Sequence, residues 1–575
     1  MRIRPCAFRI LSLFGALAGC GSPSDPGGGG GPLPTPSVAC AAKPLTQLSV
    51  GDHTVIDPAA TAGCLRVPAA GAQGAQYLMV LASTNGTKSS SGIEGPYLLR
   101  SSNPVTALSA QLGPLPAPAA VSASLGAGSL PAQFDASLRR REGELVSDPR
   151  NRPPLTAPGV AAAPPPLGDI KSFKTCSNLA CTSFTTVIAT ARYIGQHVAV
   201  YLDNEVPQND PLQDADLADL GVAFDTYHYP IDTTAYGRES DIDFNGVVIV
   251  LMTDAVNSLT PDCTNGRVIG YFFGGDLLTG SNSNRAEIFY TLVPSPATSK
   301  CTVVTRTAAV NNLKPTLIHE FQHMISFNQH VLLRGGVAEE VWLNEAMSHF
   351  AEELGGRLVP NAECTGAGFS SCRAQYTSGD ILDSYDYLQD TESQFMVFPS
   401  AGQGTLEERG AAWLFLRWAF DHYAADTILA TATTRALDAT TLTGMANLTA
   451  VTGGNFAEMV PRWLLACYLD DGTDLPFESS GFLRFKSWGL RSIWTDPRNQ
   501  TTATPPGPFT GFPLVPLPVG GSFSHTGTLR QGSGRHFLLV QAANAPALDL
   551  QVLGGSGGAQ LDSDLQARFG IVRIH

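Results

Sequence analysis

Residues 314–327 read KPTLIHEFQHMISF and set His319, Glu320 and His323 in an HExxH spacing. On an α-helix the two histidines lie four positions apart, about 40° around the axis and one turn along it, so both imidazoles share a face. Two rings so placed can hold one Zn2+ at roughly 2.0–2.1 Å. Glu320 stands beside them, displaced enough to reach an activated water without ligating the metal. Zinc lowers the pKa of such a water towards about 7. Glu320 is then the general base that takes its proton and delivers it to a leaving amine. With 11 histidines in 575 residues, a chance HExxH arises about 0.01 times per chain. Leu317, Ile318, Phe321, Met324 and Ile325 make the same helix apolar on several sides. Two histidines and a glutamate on such a helix would be costly to bury without partners.

A catalytic zinc needs a third protein ligand and an open fourth position. The chain has no HExxHxxGxxH pattern. The next segment, EEVWLNEAMSHFAEELGG at 339–356, places Glu345 22 residues after His323. Gly335 and Gly336 mark a turn that lets this second helix fold back beside the first. Glu345, His349 and Glu352 share one helical face, and Gly355 reads as the helix cap. Glu345 is taken as the third ligand, with His349 as the rival that would push Glu345 out of contact with the metal. Glu352 and Glu353 read as a solvated helix end. Hydrolysis also needs an oxyanion donor besides zinc; Tyr385, Tyr387, His422 and Tyr423 are of suitable type, and none is singled out.

The pairing of HEFQHMI with WLNEAMSHFAEE resembles the gluzincin metallopeptidases, and within them the hyicolysin-type peptidases. The resemblance is strong over 315–355 and extends over about 190–470, through YLDNEVP and GAAWLFLR. It implies an α+β, zincin-like catalytic domain with an active-site helix and a following ligand helix. It implies His319, His323 and Glu345 as zinc ligands and Glu320 as base. Thermolysin-like members carry an Asp four residues past the ligand Glu, where it orients a zinc histidine. Here that position is His349, so this part of the pattern differs.

The elements that must position these residues follow from patterning. Helices are expected at about 315–329, with Pro315 in the first turn, and at about 338–354, 407–424 and 455–470. GVVIVLMTDAV at 246–256 is a buried strand by its β-branched run. AEIFYT at 286–291 is either a core strand or an edge strand open to an extended peptide. DIDFNG at 241–246 resembles the start of a calcium loop, but the twelfth position is Met252 instead of Glu. It reads as a polar turn, with Ca2+ left open.

The expected organisation is a signal peptide over 1–19, a Gly/Pro tether over 20–39, a β-rich domain over 40–112, a Pro/Ala-rich linker or pro-segment over 113–168, the catalytic domain over 169–500 and a second β-rich domain over 501–575. The two β-regions are expected to be small and sandwich-like. Within the linker, RRREGE at 139–144 reads as a solvated helix end or a processing site. The N-terminus has Arg2, Arg4 and Arg9 before a short apolar run and closes with LAGC. That resembles a bacterial lipobox, which implies acylation of Cys20 and an outer-membrane or cell-surface lipoprotein; an ordinary cleaved signal is the alternative. Nine other cysteines follow Cys20, and neighbour pairing gives 40–64, 176–181, 263–301 and 364–372, leaving Cys467 alone. Connectivity is not provable from spacing.

The net charge of −14 argues against a nucleic-acid partner, which needs a clustered basic surface. No apolar run reaches the length of a membrane span. The reading is a lipid-anchored zinc endopeptidase acting on protein or peptide substrate, of unassigned oligomeric state. The rivals are a surface binding or structural lipoprotein with an inactive or structural zinc site, and a zinc hydrolase of a non-peptide amide.

Overall fold

The computed structural model describes residues 38–101, 129–152, 163–365, 369–400, 404–472, 477, 481–494, 511–519, 523–555 and 559–575. The signal segment, Cys20 and the tether to Ser37 lie outside them.

Four N-terminal strands, β1 (His53–Ile56), β2 (Cys64–Val67), β3 (Ala75–Ala82) and β4 (Glu94–Ser101), come first. A central set follows: β5 (Ile170–Cys176), β6 (Phe184–Ile194), β7 (Val198–Asp203), β8 (Val248–Met252), β9 (Gly270–Phe272) and β10 (Ile288–Thr291). The last are β11 (Leu517–Val519), β12 (Ser524–Arg530), β13 (Gly534–Gln541), β14 (Leu548–Gly554) and β15 (Arg568–Arg573). The sequence expects the first and last groups to be separate β-regions. They instead interleave in two sheets, ordered β1-β15-β3-β13-β11 and β12-β4-β14-β2. No N-terminal strand pairs with another N-terminal strand; each bonds to strands from the C-terminal end. Neither group could close its own edges, and unpaired edges cost backbone hydrogen bonds.

Leu81, Phe537 and Phe569 are fully buried between the sheets, and each such side chain stabilises by about 1.5–3 kcal/mol. On β3, Tyr77, Met79 and Leu81 face this core, while Leu78, Val80 and Ala82 join the main core with the helices. Burial on both faces explains the unbroken apolar run YLMVLA over 77–82.

The central sheet has the order β5-β6-β7-β8-β10-β9. β7, β8 and β10 run parallel, and β9 pairs antiparallel with β10. β10 therefore lies inside the sheet, and the edge beside the helices is the short β9. Helix and sheet are both substantial, compatible with an α+β fold.

The HExxH helix runs Arg306–Phe327 and begins at Thr305, whose side chain accepts from Ala308 N. It starts earlier than its sequence suggests, so Pro315 is interior. The next helix is Val341–Leu358. Gly355 is inside it and is not its cap: a Cβ there would meet the Tyr376 ring at 2.6 Å, so the glycine admits close packing. Helices Cys372–Gln389 and Leu406–Tyr423 pack against this pair.

The 113–168 segment also departs from expectation. Within it Leu130–Ser147 is a helix that buries Phe134, Leu138 and Glu142. Arg139 is no solvated end: it pairs with Asp135 at 3.1 Å and Glu142 at 2.8 Å, and its side chain is 7% exposed. The four cysteine pairs 40–64, 176–181, 263–301 and 364–372 are all disulfide-bonded, and Cys467 is free and buried.

Candidate active site

The HExxH helix brings His319 and His323 to one face, with ring centroids 4.9 Å apart. The turn after it, where Gly335 takes a positive φ of 66°, returns the chain so that Glu345 faces both rings. Glu345 Oε2 lies 3.6 Å from His319 Nε2, and its Oε1 lies 3.3 Å from His323 Nε2. Donor atoms of the three residues lie within 4.8 Å of one another. Glu345 Oε1 is buried without a hydrogen-bond partner. Two imidazole nitrogens and an orphaned carboxylate oxygen are a donor set that suits zinc.

A second cluster, His319, His349 and Glu352, is equally tight, but its atoms are already bonded to each other. His319 Nδ1 is 2.7 Å from Glu352 Oε1, and His349 Nδ1 is 3.2 Å from the same oxygen and 2.7 Å from Asp380 Oδ1. This leaves His319 Nε2 for Glu345 and His323, with Glu352 fixing the ring from behind. Glu345 thus meets both HExxH histidines, whereas His349 meets His319 only together with Glu352. His349 Nε2 is buried and unpartnered, and His349 lines the same cleft as His319 and Glu320.

Glu352 and Glu353 are not a solvated end. Glu352 is held by two imidazoles. Glu353 is 0% exposed and bonds Arg357, Trp413 Nε1 and Trp488 Nε1. The helix end is covered by residues distant in sequence, which local patterning does not report.

Glu320 is 8% exposed, and its Oε2 accepts from Phe272 N on β9 at 2.8 Å. The Glu320 carboxylate is thus positioned by the edge strand. Arg409, on the Leu406–Tyr423 helix, donates to Glu345 Oε2 and, at 2.9 Å, to Asp135 on the Leu130–Ser147 helix. Arg139 donates to Phe272 O at 2.9 Å. The 130–147 segment is therefore tied through Arg409 to the Glu345 carboxylate and through Arg139 to β9, and Phe134 and Asp135 line a cleft of about 270 Å³ with His319 and Glu320. Sequence reasoning passed over Arg409, although an arginine on a helix as apolar as Leu406–Tyr423 is a signal of a buried ion pair.

Burial opposes ionisation of Glu345, yet Arg409 and the two imidazoles outweigh it and hold its carboxyl well below the usual range. Burial likewise disfavours a charged His319, but the Glu345 and Glu352 carboxylates reverse this and push it up to about 10. A metal held here would have to displace that proton, which would make its binding pH-dependent.

The four oxyanion residue types named from sequence are elsewhere. Tyr385 packs edge-on to Trp494, Tyr387 stacks on Trp463, His422 bonds Arg484 O, and Tyr423 lies against Trp418 and Phe482. None lines the cleft.

No family model matches the chain. It is 29% identical over 226 residues to the neutral metalloprotease ShpI of Staphylococcus hyicus, covering 37% of this chain and 47% of that protein. The chain thus spans about half the length of the curated relative it matches.

Proposed function

We propose that this protein is a zinc-dependent endopeptidase, exported and lipid-anchored through Cys20. The observation that carries the reading is the convergence of His319 Nε2, His323 Nε2 and the Glu345 carboxylate, with Glu320 next in sequence to the first ligand. The similarity to a named metalloprotease supports it.

Zinc held by His319, His323 and Glu345 would supply Lewis acidity to the attacking water and the scissile carbonyl. Glu320 accepts the water's proton and later releases it to the leaving amine. Its hydrogen bond from Phe272 N keeps the carboxylate oriented while it does so. His349 is the oxyanion donor in this reading: its Nδ1 is anchored on Asp380, and its Nε2 is buried beside the cleft without a partner. Glu352 keeps His319 turned towards the metal. An extended peptide laid along β9 would have to displace the bonds that Phe272 N and O make to Glu320 and Arg139 before pairing through its main chain.

The test compares a soluble form beginning at Pro36 with its Glu320→Gln variant. Bound zinc and casein cleavage are measured on both. The reading expects zinc near one per chain in both and cleavage only without the substitution. Absence of zinc from both removes the ligand assignment. Zinc in both with cleavage in neither removes the peptidase assignment.

A further inference from the structure

The DIDFNG loop enters β8. Asp241, Asp243, Asn245 and Gly246 match the first half of a calcium loop, D-x-[DN]-x-[DN]-G. The twelfth position is Met252, which is fully buried in the sheet, and that absence made the loop read as a simple turn. The structure brings another carboxylate to the place. Glu287, which leads into β10, has a donor oxygen within 4.8 Å of donor oxygens of both Asp241 and Asp243.

Glu287 is the observation that points to a ligand. It is 2% exposed. Its Oε1 accepts from Ser240 Oγ at 2.6 Å and Ile242 N at 3.0 Å, so the side chain is held in one orientation. Its Oε2 is buried and has no hydrogen-bond partner. Leaving a carboxylate oxygen in that state is costly unless a cation takes it. The loop is also shaped as a calcium loop requires: Gly246 has φ 72°, and its N–H donates to Asp241 Oδ1 at 3.1 Å.

We propose that Asp241, Asp243 and Glu287 form a divalent-cation site of calcium type, in which Glu287 supplies from a separate strand the carboxylate that the loop lacks at its twelfth position. All side-chain donors are oxygens and three are carboxylates. That set suits a hard cation, and its irregular arrangement suits Ca2+ better than the strict octahedron of Mg2+. Burial pushes Glu287 up to about 7 and raises Asp243, while Lys171 offsets part of the charge at Asp243; a bound cation would reverse both shifts. The ion would clamp the entrances of β8 and β10, which are parallel neighbours with Ile249 opposite Ile288. β10 in turn carries β9, the strand that positions Glu320.

The test uses the Pro36-to-C-terminus form, dialysed into calcium-free buffer, with CaCl2 and MgCl2 as probes. Calorimetric titration with CaCl2 should saturate near one ion per chain, with Kd in the range of about 10⁻⁵–10⁻³ M. Saturating CaCl2 should raise Tm by several degrees. Asp241→Asn and Glu287→Gln should each weaken Ca2+ binding by about tenfold or more and lose the Tm shift, with bound zinc unchanged. Asp241 is exposed, so its variant keeps the fold if the Glu287 variant does not. No saturable heat and no Tm shift in the unsubstituted protein would overturn the proposal, as would a folded Asp241→Asn variant that binds Ca2+ as tightly. Equal affinity for Mg2+ would overturn the calcium-type assignment.

Discussion

Replacing Glu352 by Gln separates the proposed site from its scaffold. The carboxylate receives His319 Nδ1 at 2.7 Å and lies 3.2 Å from His349 Nδ1. Gln keeps the size and one acceptor but removes the charge that would make His319 a better donor to the proposed metal. Such partners behind a metal histidine change affinity or activity by about 10–100-fold, or about 1.4–2.7 kcal/mol. Glu353, one residue on, is the control. It is enclosed by Arg357 at 2.7 Å, Arg417 at 3.5 Å and two tryptophan N–H groups. Removing one partner of such a buried pair destabilises by about 3–5 kcal/mol. Zinc retention against a competing chelator, and urea unfolding, are measured on both variants. Glu352→Gln should lose zinc at lower chelator with little loss of stability. Glu353→Gln should unfold at lower urea while its folded fraction keeps zinc as tightly. If Glu352→Gln holds zinc within about twofold of the parent, the role given to Glu352, and the preference for Glu345 over His349 that depends on it, is wrong.

Three further outcomes are expected. Ending the chain at Pro516 removes every strand that pairs with β1–β4, so the truncated protein should be insoluble or lose its cooperative unfolding; a soluble form with native circular dichroism would contradict the interleaved sandwich. His536 is 1% exposed, sits 2.8 Å from Leu464 O, and is held down to about 4 by burial. The unfolded chain therefore binds the proton that the folded one refuses between about pH 6.5 and 4, costing on the order of 3 kcal/mol of stability as pH falls through that window. His536→Gln lacks this cost, so its stability deficit against the parent should narrow from pH 7 to pH 4 in denaturant titrations. Burial pushes the Cys467 thiol up and it is free; in the unreduced form beginning at Pro36, thiol reagents should find no reactive group when native and one after unfolding.

How much of this was legible depends on the range of the physics. Helical spacing put His319 and His323 on one face with Glu320 beside them, and grouped Glu345, His349 and Glu352 on the following helix, from which the gluzincin resemblance took Glu345. Both follow from a 3.6-residue period and a glycine-marked turn, which are local. The disulfides were legible as neighbour pairs for a similar reason, since short loops close at the least entropic cost. The boundaries were less so. Pro315 suggested a helix start, but the Thr305 cap and the packing of Ala309, Val310 and Leu313 extend the helix through it.

What the sequence by itself determined is the chemistry available: two imidazoles, a base and a following carboxylate at helical intervals. The tertiary structure decided which charges are buried and with whom. Glu352 and Glu353 are adjacent and alike in sequence, yet one turns to His319 and the other to Arg357. Arg409 meets Glu345 and Asp135 across 64 and 274 residues. β3 finds its partners more than 450 residues away. Alternation and composition specify that a strand or a charge needs a partner. Only packing of the whole chain chooses it, because that choice minimises unpaired edges and unpaired charge over all elements at once.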